Sequence, residues 1–375
     1  MSFFSYNFLG ECMKKKLLFL VLIFFIPILN AKAFETSATS AILMDIDSKR
    51  IIYSKNIHTK RSVASISKIM TAIIAVESGK LDDIVTVGDE ILDAYGSGIY
   101  IKQGEEIRLI DLVYGLMLRS GNDAALAIAH YVGGSVENFV VMMNEKASSL
   151  GMKNSEFNNP SGLDEQKGNY STAYDMAILT SYAMKNDVYK QIVSAKRHKV
   201  KTNSNYYDWT NKNKLLHSYK YSTGGKTGYT EIAKRTLVTT ASKDGLNLVA
   251  VTLNDGNDFL DHRNLFEEAF STYTNYEIFK KGLINIPGEN YYKNSQFYIK
   301  STFTYPFIDS EKNAITIKYE LAKLKNYQNN DVVGEAILFI NNDKITSLPI
   351  YIEKIEKKEN VGWLKKILSW FRSVW

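Results

Sequence analysis

The chain has 375 residues, of which 45% are hydrophobic, 12% aromatic and 23% charged, with a formal net charge of +6. That balance belongs to an ordinary globular protein with room for two domains, and it excludes disorder, collagen and a polytopic membrane protein. One cysteine and five prolines exclude an intrachain disulfide, a cysteine zinc site and a proline-rich linker.

The first element in chain order is a leader. Lys14, Lys15 and Lys16 precede an apolar run from Leu17 to Leu29, broken only by Pro27, and Ala31-Lys32-Ala33 has the small-x-small form of a cleavage site. This pattern predicts a secretory signal peptide over residues 1–33, because the run is short for a membrane span. An uncleaved anchor is the competing reading. Met13 stands directly before the lysines, so residues 1–12, with Cys12, read as an upstream start-site extension. Loss of Lys14, Lys15, Lys16, Lys32 and Glu11 with the leader lowers the net charge to +3. A charge of that size predicts no nucleic-acid partner.

Ala41–Met44 and Ile51–Tyr53 flank a polar turn at Asp45–Arg50 and predict a β-hairpin. Ile66–Val76 is apolar on nearly all sides and predicts an interior helix. Leu109–Leu118 and Ala124–Tyr131 predict helices around a polar break at Arg119–Asp123, and Phe139–Leu150 and Thr172–Met184 have helical spacing too. Thr236–Ala241 and Leu246–Leu253 predict strands joined by the tight turn Ser242–Gly245, and Asn264–Tyr273 a closing helix. Strands at both ends and helices between them predict one mixed α/β domain over 34–276, its sheet assembled from both chain ends. Near 276–285 the character changes. Gln296–Phe303, Ala314–Tyr319, Glu335–Ile340 and Ile345–Ile352 predict a small all-β domain over 277–358.

Three short motifs carry chemistry. Ser65-Ile66-Ser67-Lys68 is a Ser-x-x-Lys at the start of the interior helix. Three residues make about one helical turn, so both side chains project from one face. A serine hydroxyl needs a neighbouring base, and a lysine is one only when neutral, as burial or a second cation makes it. Taken alone, the motif equally describes an N-cap serine and a solvated lysine. Ser120-Gly121-Asn122 supplies a hydroxyl and an amide in the polar break, where a plain turn is the alternative. Lys226-Thr227-Gly228 follows Gly224-Gly225, where a lysine and a threonine on an edge strand suit a substrate carboxylate, and Gly228 admits a close backbone approach. The alternative there is the exposed start of a strand.

Together the three motifs, in that order, resemble the triple of penicillin-binding proteins and serine β-lactamases. Leu118–Ala125, Asn159–Asp164, Tyr170–Ala177, Gly225–Thr230 and Asp261-His262-Arg263 extend the likeness to serine D-alanyl-D-alanine carboxypeptidases of the low-molecular-mass penicillin-binding protein family. One departure is Ser161, where many relatives have histidine. The resemblance implies an α/β (α+β) fold: a penicillin-binding transpeptidase/β-lactamase-like domain with a mixed sheet and a helical subdomain, then the small all-β domain and a C-terminal amphipathic helix.

The resemblance also implies the site. Ser65 is the nucleophile and Lys68 its base. Ser120 relays a proton to the leaving amine. Asn122 holds the acyl amide or orients Lys68. Lys226 depresses Lys68 by like-charge repulsion and attracts the terminal carboxylate, which Thr227 binds. Gly228 and Tyr229 complete the substrate strand, and the N–H groups of Ser65 and Tyr229 form the oxyanion hole. The substrate is a peptidoglycan stem peptide ending in D-Ala-D-Ala, with β-lactams as covalent inhibitors. No cofactor is implied. The five histidines make no ligand spacing, so no metal is expected, and His262 reads as structural.

Residues 363–375 place Trp363, Trp370, Val374, Ile367, Phe371, Leu364, Trp375 and Leu368 on one helical face and Arg372, Lys365, Ser369, Ser373 and Lys366 on the other. This predicts a membrane-surface helix over 360–375, holding an exported protein at the outer face of the cytoplasmic membrane. A helix packed on the β-domain is the alternative. Among rival functions, a serine β-lactamase shares the triple, and Glu165 with Asn169 has a suggestive spacing. That pair follows the carboxypeptidase-like Ser161–Asp164, so the spacing reads as coincidence. A DD-transpeptidase differs only in what accepts the acyl group. A catalytically silent peptidoglycan-binding protein is opposed by the intact triple.

Overall fold

The computed structural model describes residues 35–164 and 167–355. The predicted leader, the C-terminal helix and Glu165 lie outside the described residues. The central sheet has five strands, β1 (Ser40–Asp45), β2 (Ile51–Lys55), β3 (Ser222–Thr230), β4 (Lys234–Lys243) and β5 (Leu246–Leu253), in the spatial order β2-β1-β5-β4-β3. The first two strands and the last three come from opposite ends of the region, as expected from the sequence. Every pairing is antiparallel, so helix and strand are mixed but strand direction is not. The reason is local: β1–β2, β3–β4 and β4–β5 are joined by short turns, which only antiparallel neighbours allow. β3 is an outer strand with one neighbour, β4, and its free edge carries the Lys-Thr-Gly motif.

The helices are α1 (Lys68–Glu77), α2 (Leu109–Arg119), α3 (Asn122–Gly133), α4 (Val136–Ser149), α5 (Ala173–Ala183), α6 (Asp187–Ser194) and α7 (Asp258–Thr272). Every residue of α1 except Glu77 is buried. That follows from its sequence, which offers no polar face, and α1 accordingly packs on all of α2 to α6. Helices α5 and α7 both pack on β5, whose two faces are almost wholly buried. The sequence patterns missed α6 and the hairpin Arg197–Lys201/Tyr206–Thr210, because both carry charged residues on their exposed sides and bury few side chains. Helix α7 starts six residues before the predicted position, in an acidic first turn with Asp258 and Asp261.

A second hydrophobic cluster follows α7, built around Phe297, Ile299, Phe307, Leu338, Ile350 and Ile352. Its five strands run in the order Gly282–Ile284, Ser295–Ile299, Asp343–Lys354, Val332–Ile340, Ile315–Leu321, and Thr274–Phe279 pairs separately with Phe303–Phe307. The single strand expected over 296–303 is two strands in different sheets. Pro306 explains part of this: it lacks an N–H and occupies an outer strand with one neighbour. Arg50, in the turn after β1, joins the two regions. Its guanidinium donates to both carboxylate oxygens of Glu311 at 2.9 and 2.5 Å and to the Pro306 carbonyl, and it lies over the rings of Tyr273 and Tyr305.

Ile73 is fully buried in α1. Ile73→Ala is expected to cost about 2–5 kcal/mol of stability, read as a lower urea midpoint.

Candidate active site

Ser65 lies in the 3-10 turn Ala64–Ser67, and Lys68 is the first residue of α1. The turn is held in an uncommon backbone state, since Ala64 has φ 49°. Gly162 (φ 82°) packs under this turn. A Cβ there would stand 2.1 Å from the Ala64 carbonyl oxygen, so only glycine fits. Ser65 is half-buried and Lys68 fully buried.

The Lys68 ammonium meets three oxygens: Ser65 Oγ at 3.1 Å, Asn122 Oδ1 at 2.7 Å, and the Ser161 carbonyl. A neutral lysine has two N–H bonds and one lone pair. Asn122 and Ser161 can only accept, so they take the hydrogens and leave the lone pair for the Ser65 hydroxyl. Burial, and next the Lys212 ammonium, pull Lys68 down to about 7, with Asp123 opposing.

Each oxygen is placed by its own local structure. α2 ends at Ser120, which adopts a left-handed conformation (φ 67°) and so turns the chain into α3 at Asn122. Asn122 is fixed at its other end by donating to the Tyr95 carbonyl at 2.5 Å. Asp123 accepts from the N–H groups of Ile99, Tyr100 and Ala124. Asn159 Oδ1 accepts from the N–H groups of Ser161 and Gly162, which sets the Ser161 carbonyl toward Lys68. Asn169, fully buried, clamps the same loop by accepting from the N–H groups of Asn158 and Asn159. Its side chain is therefore a loop brace. Asp164 ties the loop to both neighbours, accepting from Ser62 Oγ at 2.7 Å and Thr230 Oγ1 at 2.6 Å.

Lys226 projects from β3 into the interior and donates to Ser120 Oγ at 3.0 Å and the Thr227 carbonyl at 2.6 Å. Burial first, then the Lys68 and Lys212 ammoniums, push it well below the ordinary lysine range. Lys68 and Lys226 are buried like charges, and each disfavours the proton of the other. Lys212 is a further cation that acts on both. Lys212 was missed because a lysine in the polar run Asn211–Lys214 carries no motif. Its place is tertiary: its N–H donates to the Leu118 carbonyl, while neighbouring Asn213 donates to the Gly224 carbonyl.

Gly228 also meets a need within the chain itself. A Cβ there would lie 2.4 Å from Thr236 Oγ1 and 3.0 Å from the Ser65 nitrogen. The glycine thus lets β3 itself close on the nucleophile turn. Ser65, Ser120, Thr227, Gly228 and Tyr229 share a cleft of about 410 Å3 with Lys212, Lys214 and Arg235. Tyr229 is exposed at its rim, its hydroxyl donating to Glu231. All eight residues singled out in the sequence therefore converge on one place. His262 lies away from it, fully buried between Thr239 and Thr252 and pushed by burial down to about 3. Among the described residues no His, Cys, Asp or Glu cluster is arranged to hold a metal.

Comparison with known proteins decides the family. The D-alanyl-D-alanine carboxypeptidase family profile matches residues 28–257. The chain belongs to this family. It is 30% identical over 351 residues to the D-alanyl-D-alanine carboxypeptidase DacF of Bacillus subtilis, covering 88% of this chain and 89% of that one. Penicillin binding protein 5 from Haemophilus influenzae superposes with a TM-score of 0.73 at 25% identity, over 86% of this chain and 98% of that chain. A mutant of the Streptomyces K15 DD-transpeptidase matches with a TM-score of 0.60 at 31% identity, over 63% of this chain and 99% of that chain. The family's Ser-x-x-Lys, Ser-x-Asn and Lys-Thr-Gly elements are thus assembled in this chain around one buried lysine. The contact Ser161 makes to Lys68 comes from the backbone, while its hydroxyl donates to Asn159.

The rate of β-lactam acylation is expected to rise with pH through a midpoint near 7, as Lys68 loses its proton. Lys212→Gln removes a facing cation, so the midpoint moves upward, measured by stopped-flow over pH 5–10. Gly162→Ala is expected to slow acylation more than about tenfold, since a displaced serine loses its near-attack geometry.

Proposed function

We propose that the protein is a serine D-alanyl-D-alanine carboxypeptidase that removes the terminal D-alanine from peptidoglycan stem pentapeptides through an acyl-enzyme on Ser65. The observation that carries this is the Ser65–Lys68 contact, made by a lysine whose other two partners are acceptors only.

The C-terminal end of the peptide lies along the open edge of β3. Its terminal carboxylate meets Thr227 and the cations of the cleft. Lys68 takes the Ser65 proton as Oγ bonds to the carbonyl carbon of the penultimate D-alanine. The N–H groups of Ser65 and Tyr229 receive the developing oxyanion; the close approach of the strand to the turn, which leaves no room for a Cβ at Gly228, supports this pairing. As the C–N bond breaks, the proton passes to the leaving amine through Ser120, which is already in contact with Lys226. D-Alanine departs. Water then attacks the ester, Lys68 removes its proton, and the Ser65 hydroxyl is restored. A β-lactam enters the same way, but its leaving group stays tethered, so the acyl-enzyme persists.

We also assign the chain to the cell envelope, from residues 1–33 and 360–375: the first as an export signal, the second as an amphipathic helix lying on the outer face of the cytoplasmic membrane.

Ser65→Ala is expected to abolish both D-alanine release from a D-Ala-D-Ala peptide and the covalent penicillin adduct seen by mass spectrometry. An adduct on the variant would reject the nucleophile assignment. D-Alanine release that requires an added amine would favour transpeptidation. Removal of residues 360–375 is expected to shift the exported protein from the membrane to the soluble fraction.

A further inference from the structure

A second cavity of about 590 Å3 lies on the far side of two partners of Lys68. Asn122 and Ser161, which hold the Lys68 ammonium, form part of its wall. The cleft on the β3 side has a cationic excess, since Lys212 and Lys214 line it beside the Arg235–Asp258 ion pair, and it suits the carboxylate of the departing D-alanine. A peptide whose scissile carbonyl sits at Ser65 must send its acyl part elsewhere, and the space beyond Asn122 is this cavity. The residue before the acyl D-alanine lies one residue further along, about 3.3–3.6 Å of extended chain. In a stem peptide that residue is a diamino acid with a long side chain.

Four side chains give the cavity its chemistry. Leu126 and Leu163 offer apolar surface for a methylene stem. Asp93, at the end of the turn Asp89–Asp93, and Lys167, on the facing loop, supply opposite charges. Both walls are braced by amides already used in the site. Asn122 donates to the Tyr95 carbonyl on one side, and Asn159 donates to the Leu163 and Lys167 carbonyls on the other. The spacing of the walls is thus tied to the placement of Lys68.

We propose that this cavity receives the side chain of the third stem residue and selects one ending in both an ammonium and a carboxylate, as in a diaminopimelyl residue, over a lysyl side chain. The inference rests on the carboxypeptidase reading above. A zwitterionic end can satisfy Asp93 and Lys167 together. A lysyl ammonium gains from Asp93 and is repelled by Lys167, so the two effects offset. Both charges are exposed, which limits each contact to about a two- to fivefold effect.

The test is kcat/KM for D-alanine release from two pentapeptides that differ only at the third residue, diaminopimelyl or lysyl, using the full chain. Wild type is expected to favour the diaminopimelyl peptide by about tenfold, the product of two such contacts. Lys167→Gln should lower the diaminopimelyl value about threefold and raise the lysyl value, whereas Asp93→Asn should lower both about threefold. Penicillin acylation, which involves no stem side chain, should be unchanged in both variants and shows that they are folded. Equal values for the two peptides in wild type overturn the proposal, as does a Lys167→Gln effect of the same sign on both. A protein acylated by penicillin that releases D-alanine from neither peptide overturns the carboxypeptidase reading, and this subsite with it.

Discussion

The rest of the structure depends on one buried ammonium. Lys68 is fully enclosed, and a lone cation in a protein interior is unstable unless oxygens surround it or it gives up a proton. Here both happen. Three oxygens, from the turn before α1, the start of α3 and the loop after α4, converge on Nζ, and the burial that makes them necessary also makes the lysine a base near neutrality. The core follows from this need. α1 has to be apolar on all sides because it carries Lys68 into the middle of the helical region, with five helices around it.

A second requirement is that an open strand edge lies against the nucleophile turn. β3 has only one sheet neighbour, so its free backbone faces the cleft. The missing Cβ of Gly228 lets it close on the nucleophile turn, and Lys226 reaches through to Ser120. Two of the chain's positive-φ residues stand at the same place: Ala64 and Ser120 each adjoin a reacting group or are one. Such conformations persist only where the surroundings over-determine them, and Gly162 beneath Ala64 is one of those surroundings.

The loop that holds Ser161 delivers an acceptor to Lys68 through a backbone carbonyl, whose position depends on backbone course and not on residue type. The backbone course is fixed by Asn159 and Asn169, whose side chains between them make seven hydrogen bonds to the loop's own backbone among the described residues. The loop wall and the catalytic base are therefore one mechanical unit.

The sequence by itself determined the interior helix, the β-hairpins, the order of the domain's strands along the chain and the eight residues at the cleft. These are local matters: periodicity, turn residues and short motifs each act over a few positions. It did not determine α6, the hairpin at 197–210 or the split at Lys300–Thr302, where charged and polar residues break the local pattern. Only the tertiary structure brought a further cation, Lys212, to bear on the base. Lys212 lies 144 positions from Lys68 in the chain, and its influence depends on distance and burial, which no spacing rule encodes. The same holds for Gly228 and for the Ser161 carbonyl. A missing Cβ and a backbone oxygen have meaning only in terms of what folds against them.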